Sequence, residues 1–264
     1  MSSIDVRDLR FDLSTVPRDW HPRGAAVTAF WDQFSVFFPV GEAFFVRSVR
    51  HFLPQLSDET LRADVAAFCA QEGHHAREHK AYNDFLEAQG LPITALEGRV
   101  RRLLGLAQRF SPHRQLAITC ALEHFTSLMG EAVLSNGNLL EGAHPTMSKL
   151  WRWHAAEENE HRSVAFDVYL AVGGSHLGRA RAMLSTTFVF WVLVGLQTLV
   201  FLERRGALFS LREWWRLFSF VWLDPKGLRT LFRPWAQYFS RRFHPANRGS
   251  EPFETWKREL GAAS

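Results

Sequence analysis

Apolar residues recur at three- and four-residue spacings through most of the first 175 residues, which is the periodicity of amphipathic α-helices. The pattern is interrupted where helix-terminating residues cluster, at Pro54 to Asp58, Gly90 to Pro92, Ser111-Pro112, Asn136 to Asn138 and Gly173-Gly174. It predicts helices at about 25–53, 58–88, 112–135 and 144–172, with a short one near 95–108. No segment alternates with period two, so we expect an all-α fold without strands.

The segment from Met183 to Leu202 is a run of twenty residues without a charge. That length could cross a hydrocarbon core of roughly 30 Å. Polar residues such as Ser185 and Gln197 dilute the run. A membrane-spanning helix and a fully buried fifth helix are therefore the two alternatives.

The segment 203–248 carries most of the positive charge. It holds ten basic residues against three acidic ones, whereas the whole chain has a net charge of +4. Four tryptophans are interleaved with these arginines, a composition that suits a bilayer interface. The alternative is a set of helices that pack their aromatic faces on the main bundle. The segment contains no recognisable nucleic-acid-binding motif, so we expect no nucleic-acid partner.

The cysteines and the amino terminus indicate a cytoplasmic location. Cys69 and Cys120 are the only cysteines, which excludes a disulfide-stapled scaffold and a cysteine-built zinc module. The first residues are acidic and do not resemble a secretory leader. We therefore expect a cytoplasmic protein, with the inner face of the membrane as the place of any peripheral contact.

Two copies of a Glu-x-x-His motif carry the candidate chemistry. The first is Glu72 with His75, and the second is Glu158 with His161. Residues at i and i+3 on a helix lie on one face, one turn apart, so each pair can contribute to one metal ion. A single pair is weak evidence, but two pairs on two long helices are stronger.

A lone glutamate precedes each motif at a similar interval. Glu42 lies thirty residues before Glu72, and Glu123 lies thirty-five residues before Glu158, both in apolar surroundings. A carboxylate on an apolar helix face is costly unless it is paired or bound to a metal. Four carboxylates would neutralise two divalent ions, and mixed carboxylate and imidazole ligands suit iron or manganese.

This arrangement resembles a known family. Glutamates from four helices, two of them followed by histidine, are the ligand set of ferritin-like di-metal bundles. The chain is similar over most of its length to the ferritin-like bacterial family called "predicted metal-dependent hydrolase". By this resemblance the metal ligands are Glu42, Glu72, His75, Glu123, Glu158 and His161. The resemblance implies a ferritin-like four-helix bundle at 1–175, followed at 176–264 by hydrophobic and basic aromatic helices.

A more distant resemblance, to di-iron N-oxygenases of the p-aminobenzoate type, depends on His154. This histidine precedes Glu158 by one turn, as His79 follows His75 by one turn. If the two motif helices run antiparallel, both histidines lie at the same end of the metal pair. We predict that His154 is a seventh ligand and that His79 either ligates a metal or hydrogen-bonds a ligand. Each ligating histidine should have a polar partner at its other nitrogen, which the sequence does not identify.

Three functions are compatible with such a site. The first is an O₂-activating oxidase or oxygenase that holds two metal ions, iron by preference with manganese or a mixed pair as alternatives, and that uses an electron donor. Phenylalanines around Glu42 suggest an apolar or aromatic small-molecule substrate, although they equally suit core packing. The second is a two-metal hydrolase of an ester or amide. The third is a non-catalytic metal-binding protein, and a homodimer is compatible with all three.

Overall fold

The structure is a computed structural model that describes residues 4–135, 137–225, 229–249 and 251–262. Within these ranges it is helical and contains no β-strand, so the predicted all-α class is confirmed. The α-helices of these ranges are α1 (Ala25–Ser35), α2 (Phe38–Arg50), α3 (Glu59–Ala88), α4 (Ile93–Ala107), α5 (Pro112–Ser135), α6 (Pro145–Glu160), α7 (Val164–Ala171), α8 (His176–Arg204), α9 (Leu211–Phe218), α10 (Phe232–Gln237) and α11 (Glu251–Ala262).

The longest predicted helix is close to the observed one because its start is encoded locally. The Asp58 carboxylate accepts hydrogen bonds from the backbone N–H groups of Thr60 and Leu61, at 2.8 and 3.3 Å. An aspartate in this position satisfies donors that have no partner within the helix. Helix α3 therefore begins at Glu59 and runs thirty residues, carrying its Glu-x-x-His motif in its middle.

The helix predicted at 25–53 is wrong as a single element, because the chain breaks between α1 and α2. Pro39 lacks an N–H group and its ring conflicts with the carbonyl of Ser35, four residues earlier. The freed Ser35 carbonyl instead accepts a hydrogen bond from Asn83 Nδ2 of α3, at 3.1 Å. The break lets α2 take its own direction along α3, with Glu42 on its buried side.

The helix predicted at 144–172 is also interrupted. Helix α6 ends at Glu160 and α7 begins at Val164, and His161 has left helical geometry with φ −98° and ψ 4°. The intervening residues include neither glycine nor proline. Tertiary contacts of His161, rather than a local breaker, accompany this turn.

The helices that carry the motifs form two closely packed pairs. Helix α2 lies along α3, and α5 lies along α6, while α2 also contacts α5 and α7 contacts α3. The side chains between these pairs include the motif residues. The ferritin-like arrangement of this bundle stays a prediction.

Helix α8 packs one face on α1 and α5 and leaves the other face exposed. The prediction of a fully buried fifth helix is therefore wrong, since Leu184 is 55% exposed and Phe188 is 72% exposed. Within the described ranges, α8 is the single helix whose length and composition would allow it to cross a membrane.

The segment after α8 is largely folded onto the helices before it. Helix α9 packs against α1, and the buried guanidinium of Arg179 donates hydrogen bonds to the carbonyls of Tyr238 and Ser240, at 2.5 and 3.0 Å. Phe209 and Trp215 nevertheless stay exposed, at 93% and 62%. The predicted boundary at 175/176 falls in the turn between α7 and α8, and the division into two domains remains a prediction.

Gly130 generates a test of the α5–α6 contact. A Cβ atom there would lie 2.7 Å from the Ala155 carbonyl oxygen and 2.8 Å from Asn159 Nδ2. We expect Gly130→Ala to lower the free energy of unfolding by about 1–3 kcal/mol, the range found for overpacked cores. The matched control is Gly105→Ala in α4, where nothing lies within 4 Å. Because alanine favours a helix more than glycine does, Gly105→Ala should instead raise the free energy of unfolding by about 0.5–1 kcal/mol. Denaturant unfolding of both variants measures the difference, and equal stabilities would contradict the close approach.

Candidate metal centre

Four helices bring the predicted metal ligands to one place. Their side chains are at most 3% exposed, and they come from α2 (Glu42), α3 (Glu72, His75), α5 (Glu123) and α6 (His154, Glu158), with His161 at the carboxyl end of α6. The structure thus gathers residues that are up to 119 positions apart in the chain. The two Glu-x-x-His motifs and the glutamates upstream of them are therefore neighbours in space.

The side chains form three overlapping groups, within each of which the candidate ligand atoms lie within 4.8 Å of one another. These groups are Glu72 with Glu123 and His161, Glu72 with His75 and Glu158, and Glu42 with His75 and His154. Because Glu72 and His75 each belong to two groups, the three groups are one continuous cluster. Such overlap is what two adjacent ion positions require.

Two of the carboxylates face both motif histidines. Glu72 presents one oxygen to His161 Nε2 at 3.4 Å and the other to His75 Nδ1 at 3.7 Å. Glu158 does the same, at 3.6 Å from His75 Nδ1 and 3.7 Å from His161 Nε2. Glu72 and Glu158 therefore lie in the middle of the cluster, whereas Glu42 and Glu123 lie at its two ends.

The cluster contains polar atoms that need a partner which the described residues do not supply. Among those residues, hydrogen-bond partners are missing for ten buried atoms, namely both carboxylate oxygens of Glu42, Glu72 and Glu123, one oxygen of Glu158, His75 Nδ1, His154 Nε2 and His161 Nε2. Buried polar atoms without partners are rare and costly. Each of these atoms is one that a metal ion would contact, so the residues present fit a metal centre.

The electrostatics of the cluster indicate a strong excess of negative charge. Burial and the charge of neighbouring carboxylates raise the pKa of Glu42 and Glu72 well above the ordinary value for glutamate. Burial acts to lower the pKa of His161, but the Glu123 and Glu158 carboxylates hold it well above the ordinary value. Cations would relieve the mutual repulsion of these carboxylates, just as protons do.

The residue that precedes each motif orients the histidine of the other motif. His75 Nε2 donates to Glu157 Oε2 at 3.1 Å, and His161 Nδ1 donates to Gln71 Oε1 at 2.8 Å. Metal-ligating histidines commonly donate their second N–H in this way, which fixes the tautomer and the ring orientation. The sequence analysis missed both partners, although their shared position immediately before each motif glutamate was a usable signal.

An arginine from the amino-terminal segment links the two partners. Arg7 Nη1 lies 3.3 Å from Glu157 Oε1 and 2.7 Å from Glu160 Oε2. Gln71 Nε2 donates to the same Glu160 oxygen, at 2.8 Å. This network lies on the outer side of the cluster, and the local sequence around Arg7 does not predict it.

His154 and His79 lie side by side at one end of the cluster. His154 Nδ1 is 2.8 Å from His79 Nε2, and His79 Nδ1 is 2.9 Å from Ser35 Oγ. Ser35 Oγ itself donates to Asn83 Oδ1, whose amide is oriented by its bonds to the Ser35 carbonyl and to Glu97. The chain of donors therefore places the His154 proton on Nδ1, and Nε2 faces the cluster, 3.0 Å from Glu158 Oε1. His79 lies in none of the three groups, and it hydrogen-bonds His154. The roles of both histidines at a metal stay predictions.

The two cysteines take no part in the cluster. Cys120 Sγ lies 3.3 Å from the carbonyl oxygen of Ala165, and burial raises the pKa of its thiol well above the ordinary value. Cys69 is half-buried, and burial raises its pKa to about 11. Neither thiol is available as a thiolate near neutral pH.

Two cavities of opposite character reach the cluster. An open polar cleft of about 630 Å³ lies between α2 and α3, and its lining includes Glu42, Glu72, Arg47 and Arg50. An apolar chamber of about 330 Å³ lies between α2, α4, α5 and α8. A smaller cavity of about 60 Å³ shares part of the chamber wall and extends to His154. The phenylalanine-rich segment around Glu42 lines the chamber, with Phe34, Phe37, Phe38 and Phe45 in its wall.

An all-helical fold around a buried carboxylate–imidazole cluster defines a candidate metalloprotein. The chain belongs to the family described as "predicted metal-dependent hydrolase", whose profile matches residues 5–249. No curated protein and no solved structure gives a significant match to the chain. Metal dependence is thus indicated both by the family and by the cluster.

The first prediction for this site concerns Glu72. We expect metal analysis to find two ions in each chain and Glu72→Gln to lose both, because one carboxylate faces both histidines. The metal-free variant should unfold at the same or a higher temperature than metal-free wild type, because a buried carboxylate has been neutralised. Asp84→Asn on the same helix is the control, since this side chain is 59% exposed and pairs with Lys80. Retention of both ions by Glu72→Gln would show that the site is wrongly assigned.

The second prediction concerns the histidine partners. Gln71→Leu removes the acceptor for His161 Nδ1, and Glu157→Gln weakens the acceptor for His75 Nε2. Loss of such partners typically lowers metal affinity by roughly 10- to 100-fold. Competition with a chelator measures the affinity, and Glu87→Gln on the exposed side of α3 is the control. An unchanged affinity in both variants would remove these residues from the metal centre.

Proposed function

We propose that this protein is a carboxylate-bridged two-metal enzyme that acts on an apolar small molecule. The observation that carries the proposal is the set of unpartnered ligand atoms on four helices, with Glu72 and Glu158 each facing two histidines. Glu123 and His161 would hold one ion, and Glu42, His75 and His154 the other. The same ligand set supports a ferritin-like di-metal bundle as the class of fold.

The metals determine which chemistry is available, and the chain determines where it occurs. Two ions held here would polarise a carbonyl and lower the pKa of water if they act as Lewis acids, or supply electrons to O₂ if they are ferrous iron. Glu157, Gln71 and His79 hold the ligating rings in one tautomer. The apolar chamber would hold the body of the substrate and exclude water from one side.

Hydrolysis of an ester or amide is the first candidate reaction. The family description names a metal-dependent hydrolase without specifying the bond that is cleaved, and the open cleft whose lining includes Glu42 and Glu72 would be the route by which water reaches the cluster. Arg47 and Arg50 in the same cleft would attract an anionic product such as a carboxylate. The chamber on the opposite side would select the apolar part of the substrate.

O₂ activation by two iron ions is the second candidate reaction. The specific observation in its favour is the ligand set, with four glutamates and three histidines and no thiolate. Such ligands suit iron or manganese better than zinc. The apolar wall next to His154 would also exclude water from that side of the cluster. This reaction requires an electron donor, for which the described residues show no dedicated site.

Turnover under controlled oxygen separates the two reactions. Metal-loaded protein would be given p-nitrophenyl esters of increasing acyl length without O₂, and ferrous protein with a chemical reductant would be tested separately for O₂ uptake. We expect anaerobic ester cleavage that increases with acyl length and falls at least about 100-fold in Glu72→Gln, with Asp84→Asn unchanged. Reductant-dependent O₂ uptake without ester cleavage would instead establish the second candidate. Metal binding far above two ions in each chain, with neither activity, would contradict an enzyme.

A further inference from the structure

The outer face of α8 is apolar over most of its length. From Leu184 to Leu199 the exposed side chains are uncharged, and Phe188, Leu196 and Val192 are 72%, 50% and 45% exposed. The fifteen helical rises between Leu184 and Leu199 make this strip about 22 Å long. A contiguous exposed apolar surface of this kind marks an interaction site.

Helix α4 extends this apolar face on the other side of the chamber. Its outward side chains Leu103 and Leu106 are 36% and 53% exposed, and Phe110 just beyond it is 38% exposed. All three also line the chamber, as does Val189 of α8, which is 43% exposed. The chamber therefore opens between α4 and α8, on the apolar face itself. We call this face, with its opening, the α4–α8 face.

The inner end of the chamber lies beside the metal cluster. Gly41, next to Glu42, lines the chamber, and so does Phe38. The Phe38 ring lies 4.3 Å from the His154 ring and 4.5 Å from the His79 ring, between centroids. The Phe38 ring thus contacts both histidines and lines the chamber, so the chamber comes within one aromatic ring of the cluster.

Arginines lie along α4 and just after it, and one of them lines the chamber. Five arginines and one glutamate lie between Ile93 and Arg114. Arg102 and Arg109 are exposed on either side of Leu106 in the sequence. Arg114 lines the chamber with its guanidinium 3.7 Å from the centre of the Phe110 ring. An apolar strip bordered by cations matches the order of layers in an anionic bilayer, with acyl chains inside and phosphates outside.

We propose that the α4–α8 face docks on an anionic lipid bilayer and that the chamber takes its apolar substrate directly from the membrane. The docking follows from the exposed face alone, whereas the uptake of substrate rests on the function proposed above. The substrate class is a molecule with a long hydrocarbon portion that partitions into lipid. The protein would lie on one leaflet, because the opposite face of α8 packs on α1 and α5.

Charge favours a bilayer over a second copy of the chain as the occupant. In a symmetric dimer through this face, the arginines of one α4 would approach those of the other or remain beside a neutral apolar patch. Like charges brought together at an interface oppose association, whereas lipid phosphates attract them. The interface of a dimer would also close the chamber opening to substrate.

Co-sedimentation with vesicles tests the docking without reference to any activity. Full-length protein would be mixed with phosphatidylcholine vesicles that contain or lack phosphatidylglycerol. We expect binding to the anionic vesicles alone, weakened by salt, and abolished in Phe188→Glu with Leu196→Glu. Arg102→Gln with Arg109→Gln should weaken it roughly 25-fold, about fivefold for each arginine.

The control variant is Val6→Glu, at an apolar position that is 43% exposed and whose neighbour Arg7 contacts α6. It should bind as the wild type does. Circular dichroism and metal content would show that the charged variants remain folded. Equal binding of wild type and Phe188→Glu/Leu196→Glu, or a stable dimer in solution that these substitutions dissociate, would overturn the docking.

A chamber probe tests the entry of substrate separately. Diphenylhexatriene, an uncharged apolar fluorophore, should bind with enhanced fluorescence, and Val189→Trp should block it by filling the opening. Vesicle binding should persist in Val189→Trp, because tryptophan side chains are favoured at membrane–water interfaces. Unchanged probe binding in this variant would refute the entry route while leaving the docking in place. A failure of both reactions of the preceding section would leave vesicle and probe binding unaffected, so the two proposals can fail independently.

Discussion

The structure depends on the burial of four carboxylates in one small volume between helices. Glu42, Glu72, Glu123 and Glu158 are almost inaccessible to water, and oxygens of all four lack hydrogen-bond partners among the described residues. Such a set is unfavourable unless cations or protons neutralise it. The break before α2 and the end of α6 place these groups around a common centre. These interruptions of the predicted helices therefore belong to the geometry of the cluster.

The cluster has two differently built sides. Toward α3 and α6, each motif supplies the hydrogen-bond partner of the other motif's histidine, and Arg7 with Glu160 joins the two partners. Toward α2, the cluster meets a polar cleft on one flank and an apolar chamber on the other. The hydrogen-bond partners of the histidines and the two cavities therefore lie on different sides of the same cluster.

The surfaces that the charged and aromatic residues form depend on where the fold places them. The segment after α8 has the larger excess of arginine, and of its aromatic side chains Phe220 and Tyr238 are buried against earlier helices, whereas Phe209, Trp215 and Phe232 are exposed. The apolar surface of α8 and α4 differs from this segment in bordering the chamber opening, which Arg114 also lines. A count of charges along the chain could not distinguish these two surfaces, because both are basic and aromatic.

The sequence by itself determined the helical class, the positions of α3, α4 and α5 to within a few residues, and the two Glu-x-x-His motifs with their upstream glutamates. These features depend on local chemistry, namely on helical periodicity, on the cap at Asp58 and on i, i+3 spacing. Only the tertiary structure decided that His75 pairs with Glu157 and His161 with Gln71, that Arg7 joins them, and that one face of α8 stays exposed. Those contacts join residues 82 to 153 positions apart. Their geometry depends on how whole helices pack, and no local pattern carries that information.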